Sequence, residues 1–265
     1  MKPLSGIKIL VTRDLHQAVG MKNRLNELGA EVECVPTIKI VDPPKWDIFD
    51  TAVVHLDAFA WLVFSSTNAV HQSMKRLTEL NLNIKPDSKT KVAAVGSQTA
   101  AVLESYGMSV DLIPDLFQAE ALVNGLLEIG VQNQNILIPR ALEGRSFLES
   151  QLEEAGAIVT VAPVYQNVIP SENKPLLEQL IKTQTIDWIT FTSSSTATNF
   201  VKLLGDSIRA VGMPKIASIG SITTRTLENC GLLPNLTAHP QNVDGIVNCI
   251  VKWETDSRIE RSNDG

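Results

Sequence analysis

The chain repeats itself at a long and nearly fixed interval. Lys8-Ile-Leu-Val-Thr-Arg13 returns as Asn135-Ile-Leu-Ile-Pro-Arg140, 127 positions later. Gly29 and Gly156, Pro36 and Pro163, and Trp61 and Trp188 keep the same offset of 127. Lys91-Val-Ala-Ala-Val-Gly-Ser-Gln-Thr99 returns as Lys215-Ile-Ala-Ser-Ile-Gly-Ser-Ile-Thr223, now 124 apart, which a short loop deletion accounts for. Shared order and offset at five landmarks indicate an internal duplication, with a period far too long for a solenoid. Within a copy, short apolar runs alternate with helical stretches. Val92 to Val95 reads as a buried strand, and Ala100 to Tyr106 as a helix closed by Gly107. Such alternation predicts an α/β fold with mainly parallel sheets. With 265 residues, of which 44% are hydrophobic, the chain can bury one large core or two of modest size.

Taken in order, the pattern predicts a strand at 7–11, a helix at 18–28, a strand at 31–35 and an extended, Pro-bounded connector at 36–44. Residues 80–90 read as a polar loop and 110–114 as a short strand. Residues 119–129 read as a helix entered through Phe117-Gln118. The segment from Glu254 to Gly265 is polar and is expected to be disordered.

Several function classes are disfavoured. A net charge of -6 and a pI near 5.3 leave no basic footprint for nucleic acid. Cys34, Cys230 and Cys249 are scattered, which fits neither a disulfide framework nor a zinc site and points to a reducing, cytoplasmic setting. No apolar run approaches the roughly 18 residues of a membrane span. The opening residues enter a strand without a secretory apolar region, so neither export nor a membrane partner is expected. The Gly-rich dinucleotide and phosphate-loop motifs and the nucleophile elbow are missing. His16, His55, His71 and His239 have no metal spacing and read as solvated residues.

Four Ser/Thr-rich turns remain: Ser65-Ser66-Thr67, Gly96-Ser97-Gln98-Thr99, Thr192-Ser193-Ser194-Ser195 and Gly220-Ser221-Ile222-Thr223. Each joins a strand to a helix, where free backbone N–H groups attract anions. Helix capping alone explains any one of them. Four at matching repeat positions, all at the carboxyl ends of strands, point to ligand binding. Arg13, Arg140 and Arg145 follow equivalent strands and suit a two-pronged grip on a carboxylate, or else are solvated surface arginines. Tyr165 stands where the other copy has Ile38, so one connector alone carries a phenol. It is either a chemical group or a packed aromatic.

Taken together, Phe64-Ser-Ser-Thr-Asn-Ala-Val70, Ala94-Val-Gly-Ser-Gln-Thr99, Ile138-Pro-Arg-Ala-Leu-Glu-Gly-Arg145, Val164-Tyr-Gln-Asn-Val168 and Ile219-Gly-Ser-Ile-Thr223 resemble the uroporphyrinogen-III synthase family from Ile7 to about Trp253. The resemblance implies two parallel-sheet α/β domains joined by a pair of antiparallel linker strands, with a ligand cleft between them. It implies that the domains are not the repeats: residues 1–38 with 168–255 form one, 39–167 the other, and 256–265 a disordered tail. It further implies a cofactor-free, metal-free enzyme, a monomer, that cyclises hydroxymethylbilane to uroporphyrinogen III. Water is lost and ring D is inverted through a spiro intermediate. Tyr165 falls on the family tyrosine proposed to assist departure of the hydroxyl. Ser66, Thr99, Ser193, Thr223 and Arg145 fall on positions lining the family's cleft, and Arg13 and Arg140 are added from the repeat. The alternative is a non-catalytic module that binds an anionic tetrapyrrole.

Overall fold

The computed structural model describes residues 2–82, 89–114, 119–144, 146–205 and 212–263. Its strands, in chain order, are β1 (Lys8–Val11), β2 (Glu31–Cys34), β3 (Lys39–Val41), β4 (Trp61–Phe64), β5 (Lys91–Ala94), β6 (Asn135–Ala141), β7 (Ile158–Val168), β8 (Trp188–Phe191), β9 (Lys215–Ser218) and β10 (Leu236–Thr237). The helices are α1 (Leu15–Glu27), α2 (Asp47–Val54), α3 (Thr67–Glu79), α4 (Ser97–Ser105), α5 (Ala119–Ile129), α6 (Phe147–Glu154), α7 (Lys174–Lys182), α8 (Ser194–Leu204), α9 (Ser221–Asn229) and α10 (Val243–Asn263). Two compact units result. Met1–Lys39 with Val168–Gly265 form the first, and Ile40–Asn167 the second. Among the described residues no helix is long and apolar enough to cross a membrane.

The first unit holds a five-stranded sheet in the order β10-β9-β8-β1-β2, with every neighbouring pair parallel. The second holds a sheet in the order β3-β7-β6-β4-β5, in which β7-β6, β6-β4 and β4-β5 are parallel. Each sheet therefore takes strands from both copies of the repeat. Even so, the equivalences hold down to register. Ile9 lies opposite Trp188 in one unit and Ile136 opposite Trp61 in the other. Lys8 lies opposite Glu31, and Asn135 opposite Ile158. Lys91 sits over the Trp61 ring at 5.5 Å, and Lys215 over Trp188 at 4.9 Å. A shared offset thus specifies a shared pairing, because a one-residue slip would send every side chain to the wrong face.

Helices cover both faces of these sheets, so the central strands are buried throughout. Side chains alternate as the pleat demands. In β4, Trp61 and Val63 join one core and Leu62 and Phe64 the other. In β8, Trp188 packs on one side and Ile189 and Phe191 on the opposite side. The carboxyl ends of the parallel strands in each unit deliver the Ser/Thr-bearing turns to one edge of the sheet.

Three segments differ from the sequence reading. Residues 110–114 form no strand; only an Ala93–Leu112 bridge is present, at the position where the other unit has β10 on β9. The Asp111 carboxylate takes the Val92 N–H at 2.8 Å, and Pro114 has no N–H to extend a ladder. Helices α2 and α7 fill stretches to which the sequence reading gave no element. The polar segment from Glu254, expected to be disordered, continues α10 to Asn263. Glu254 is buried and accepts from Trp188 Nε1 at 2.8 Å and Lys215 Nζ at 2.5 Å. Arg258 donates to the Ser5 carbonyl at 2.8 Å. Phe117-Gln118, and most of the 80–90 loop, lie outside the described residues.

The start of α10 is tightly fitted. Gly245 donates its N–H to Asn242 Oδ1 at 2.8 Å, and a Cβ at this position would collide with the Pro240 carbonyl oxygen. Gly245→Ala is expected to cost about 1–3 kcal/mol through forced displacement of the turn, read as a lowered midpoint in thermal unfolding. An unchanged midpoint would show that the turn yields freely.

Candidate functional site

The turns after the strands are built as helix starts. Ser66 caps α3 by accepting the Ala69 N–H at 3.2 Å, and Ser193 caps α8 by accepting that of Thr196 at 3.2 Å. These residues are 127 positions apart, so one capping geometry is used twice. At the other pair of turns Gly96 and Gly220 occupy the caps with no side-chain bond. Thr99 and Thr223 are buried in the first turns of α4 and α9. Ser97 and Ser221 are the exposed hydroxyls there; the sequence reading included them in these turns but took Thr99 and Thr223 as the site residues. Burial is what a parallel sheet imposes on the third residue of a helix that leaves its edge and packs back on it.

The two units differ at the ends of their central strands. In the first unit Thr12 Oγ1 donates to the Thr190 carbonyl at 2.8 Å, and Thr37 Oγ1 donates to the Thr196 carbonyl at 2.9 Å. The equivalent positions in the second unit are Pro139, Val63, Val164 and Ala69, none of which carries a hydroxyl. There a cavity of about 650 Å³ is lined by Ser65, Ser66, Glu120, Arg140, Glu143, Glu149 and Tyr165, among others.

Tyr165 reaches this cavity through a bulge. Arg140 pairs with Pro163 and Ala141 with Tyr165, which leaves Val164 as an extra residue in β7. Ala162, Val164 and Tyr165 consequently join one core, which strict alternation would not allow. The Leu142 N–H fixes the bulged strand by donating to the Tyr165 carbonyl at 2.7 Å. The ring is buried, and its hydroxyl lies 3.4 Å from Ser66 Oγ. Sequence spacing placed Tyr165 opposite Ile38 but carried no sign of the bulge that aims it.

Arg140 lies beside them in an ion pair with Glu149. Its Nε also donates to the Ala141 carbonyl at 3.2 Å, and its guanidinium lies so close over Gly144 that a Cβ there would sit 3.1 Å from Nη2. Arg13, its counterpart in the first unit, donates from Nε to Gln17 Oε1 at 3.0 Å. Burial pulls the Arg13 guanidinium below its ordinary value, partly offset by the Asp14 charge. Arg145 lies outside the described residues. The structure therefore brings Ser66, Arg140 and Tyr165 to one hollow, places Thr99 in the same unit, and places Arg13, Ser193 and Thr223 in the other. Glu149 went unrecognised in the sequence. Its signal was a charge on the buried stripe Leu148, Glu149, Leu152 of an amphipathic helix.

These features define a duplicated α/β protein of two units with polar strand ends and a hydroxyl-lined hollow. A family model described as uroporphyrinogen-III synthase HemD matches residues 20–248. The uroporphyrinogen-III synthase of Synechococcus elongatus is 32% identical over 95% of this chain and 97% of its own length. That of Chlorobaculum parvum is 29% identical over 89% and 94%. The chain belongs to the uroporphyrinogen-III synthase family, lyases of tetrapyrrole biosynthesis. The fold is shared with solved synthases. A Thermus thermophilus mutant enzyme superposes with a TM-score of 0.66 at 16% identity, covering 95% of this chain and 99% of that one. The Helicobacter pylori enzyme gives 0.63 at 20% identity, covering 93% and 99%.

Proposed function

We propose that this chain cyclises hydroxymethylbilane to uroporphyrinogen III. The observation that carries the reading is the match to the Synechococcus elongatus synthase along nearly the whole of both chains. The geometry supplies roles. Tyr165 stands at the wall of the hollow with its hydroxyl beside that of Ser66. It acts as hydrogen-bond donor or general acid to the departing hydroxyl. The C–O bond breaks with its electron pair on oxygen, and the proton lent to it is recovered when the closing ring D carbon loses its hydrogen. Water is the only net loss.

The remaining task is orientation. Closure without guidance gives the uninverted ring, so holding the chain in one curl is the catalytic contribution. Arg140, Arg145 and Arg13 are assigned to substrate carboxylates, with Ser193 as a further contact. At the Thr99 and Thr223 turns, where the threonines are buried, the donors on offer are Ser97, Ser221 and first-turn N–H groups. Each helix start favours a carboxylate by about 0.3–1 kcal/mol.

The test is to incubate the purified protein with freshly prepared hydroxymethylbilane and separate the oxidised products. Uroporphyrin III in excess of the no-enzyme control is expected. Uroporphyrin I alone, at the control rate, would overturn the reading.

A further inference from the structure

A buried carboxylate oxygen in the hollow has no hydrogen-bond partner among the described residues. Glu149 is 5% exposed and its Oε1 is taken by Arg140, but among the described residues no group donates to Oε2. Among the described residues four buried side-chain atoms share this condition, on Gln72, Ser73, Gln134 and Glu149. Glu149 alone of these residues lines the cavity that holds Tyr165 and Ser66. A buried acceptor left without a donor is costly, and such a group in a native fold calls for an explanation. Pairing with Arg140 explains one oxygen only.

The proposed substrate offers the missing donor. Besides carboxylates it carries four pyrrole N–H groups. When the hydroxyl leaves, the lone pair of the adjacent pyrrole nitrogen replaces the lost C–O pair, and positive charge develops at that N–H. We propose that Glu149 Oε2 accepts the N–H of the pyrrole ring bearing the hydroxymethyl group and stabilises the charge that forms there. This rests on the synthase reading given above. No bond to Glu149 forms and no proton need reach it. Tyr165 serves the leaving oxygen and Glu149 the electron-donating nitrogen, in one cavity. Fixed dipoles and charges aimed at developing charge stabilise a transition state more than a ground state. Arg140, whose guanidinium lies close over Gly144, is the group that holds Glu149 Oε1.

Glu149→Gln retains the shape and the Arg140 contact but turns one oxygen into an N–H donor, while Glu149→Asp keeps the charge and withdraws it by one methylene. The expected order of kcat is wild type, then Glu149→Asp, then Glu149→Gln, with the last lowered at least tenfold and KM changed less. A purely structural role would instead appear in thermal unfolding with kcat intact. A Glu149→Gln enzyme equal to or faster than Glu149→Asp would overturn the proposal. Should the glutamine variant fail to fold, calorimetric titration of Glu149→Asp with uroporphyrinogen III under anaerobic conditions decides: weakened binding supports the contact, and unchanged affinity overturns it. Wild-type protein that makes only the I isomer would mark failure of the synthase reading itself, separately from any result on Glu149.

Discussion

Tyr165→Phe is expected to lower kcat for hydroxymethylbilane by about 100-fold, the lower edge of what a positioned proton donor contributes. The fold is expected to survive. Phenylalanine keeps the ring among Ala162, Val164 and the rest of that core, and the bond given up, to Ser66 Oγ, is 3.4 Å long. A contact so long contributes less than the usual 1 kcal/mol or so of a protein hydrogen bond. Turnover and thermal unfolding should therefore separate, with kcat lowered and the midpoint nearly unchanged. Ser66→Ala provides a contrast: it removes the same contact and also the cap on α3, at about 1 kcal/mol in stability. If Tyr165→Phe turns over within twofold of wild type, the tyrosine leaves the catalytic set.

Ending the chain at Trp253 is expected to destabilise the protein by on the order of 1–3 kcal/mol, the cost of leaving a buried donor without its acceptor. The loss is concentrated at Glu254. Without it the buried Trp188 N–H has no acceptor, and the Lys215 ammonium loses its carboxylate. Arg258, which ties α10 to the Ser5 carbonyl, goes as well. A truncated chain that unfolds at the wild-type midpoint would rule this out. Acid isolates the carboxylate. Burial raises its pKa, but hydrogen bonds from Lys215 and Trp188, with the charges of Lys215 and Arg258, outweigh burial and hold it below the usual range. A carboxyl depressed on folding contributes stability above its unfolded pKa and loses it as pH falls through the folded value. Wild type should exceed Glu254→Gln at neutral pH, and the gap should close on acidification. A gap independent of pH would contradict the ion-pair account.

The sheet cores were legible because repetition makes pattern redundant. Trp61 and Trp188 head equivalent strands, and their offset carries the register of both sheets. Spacing did not reveal that each sheet mixes the two copies. Any tandem arrangement of the copies has the same offsets, and only the family resemblance pointed to the exchange. The tail was misread because polarity on the surface of a helix looks like polarity without structure. What orders it is a few specific partners far away in sequence, such as Trp188 and Ser5. The hollow was half legible. Arg140 was named from the repeat, Ser66 from the family resemblance and Tyr165 from both, whereas the bulge at Val164 and the buried Glu149 depend on tertiary packing that no local pattern encodes.

The mixed parentage of the sheets sets an order of events during synthesis. Ile40–Asn167 is one uninterrupted stretch and can close its core as soon as it has left the ribosome. Residues 1–39, which precede it, cannot. They carry β1 and β2, a two-stranded ribbon too small to persist in water, whose third neighbour β8 is translated some 150 residues later. Residues 1–39 are therefore made before the second unit and settle after it, and their apolar side chains, Ile9 and Val11 on one face of β1 and Leu10 on the other, are what a chaperone would meet meanwhile.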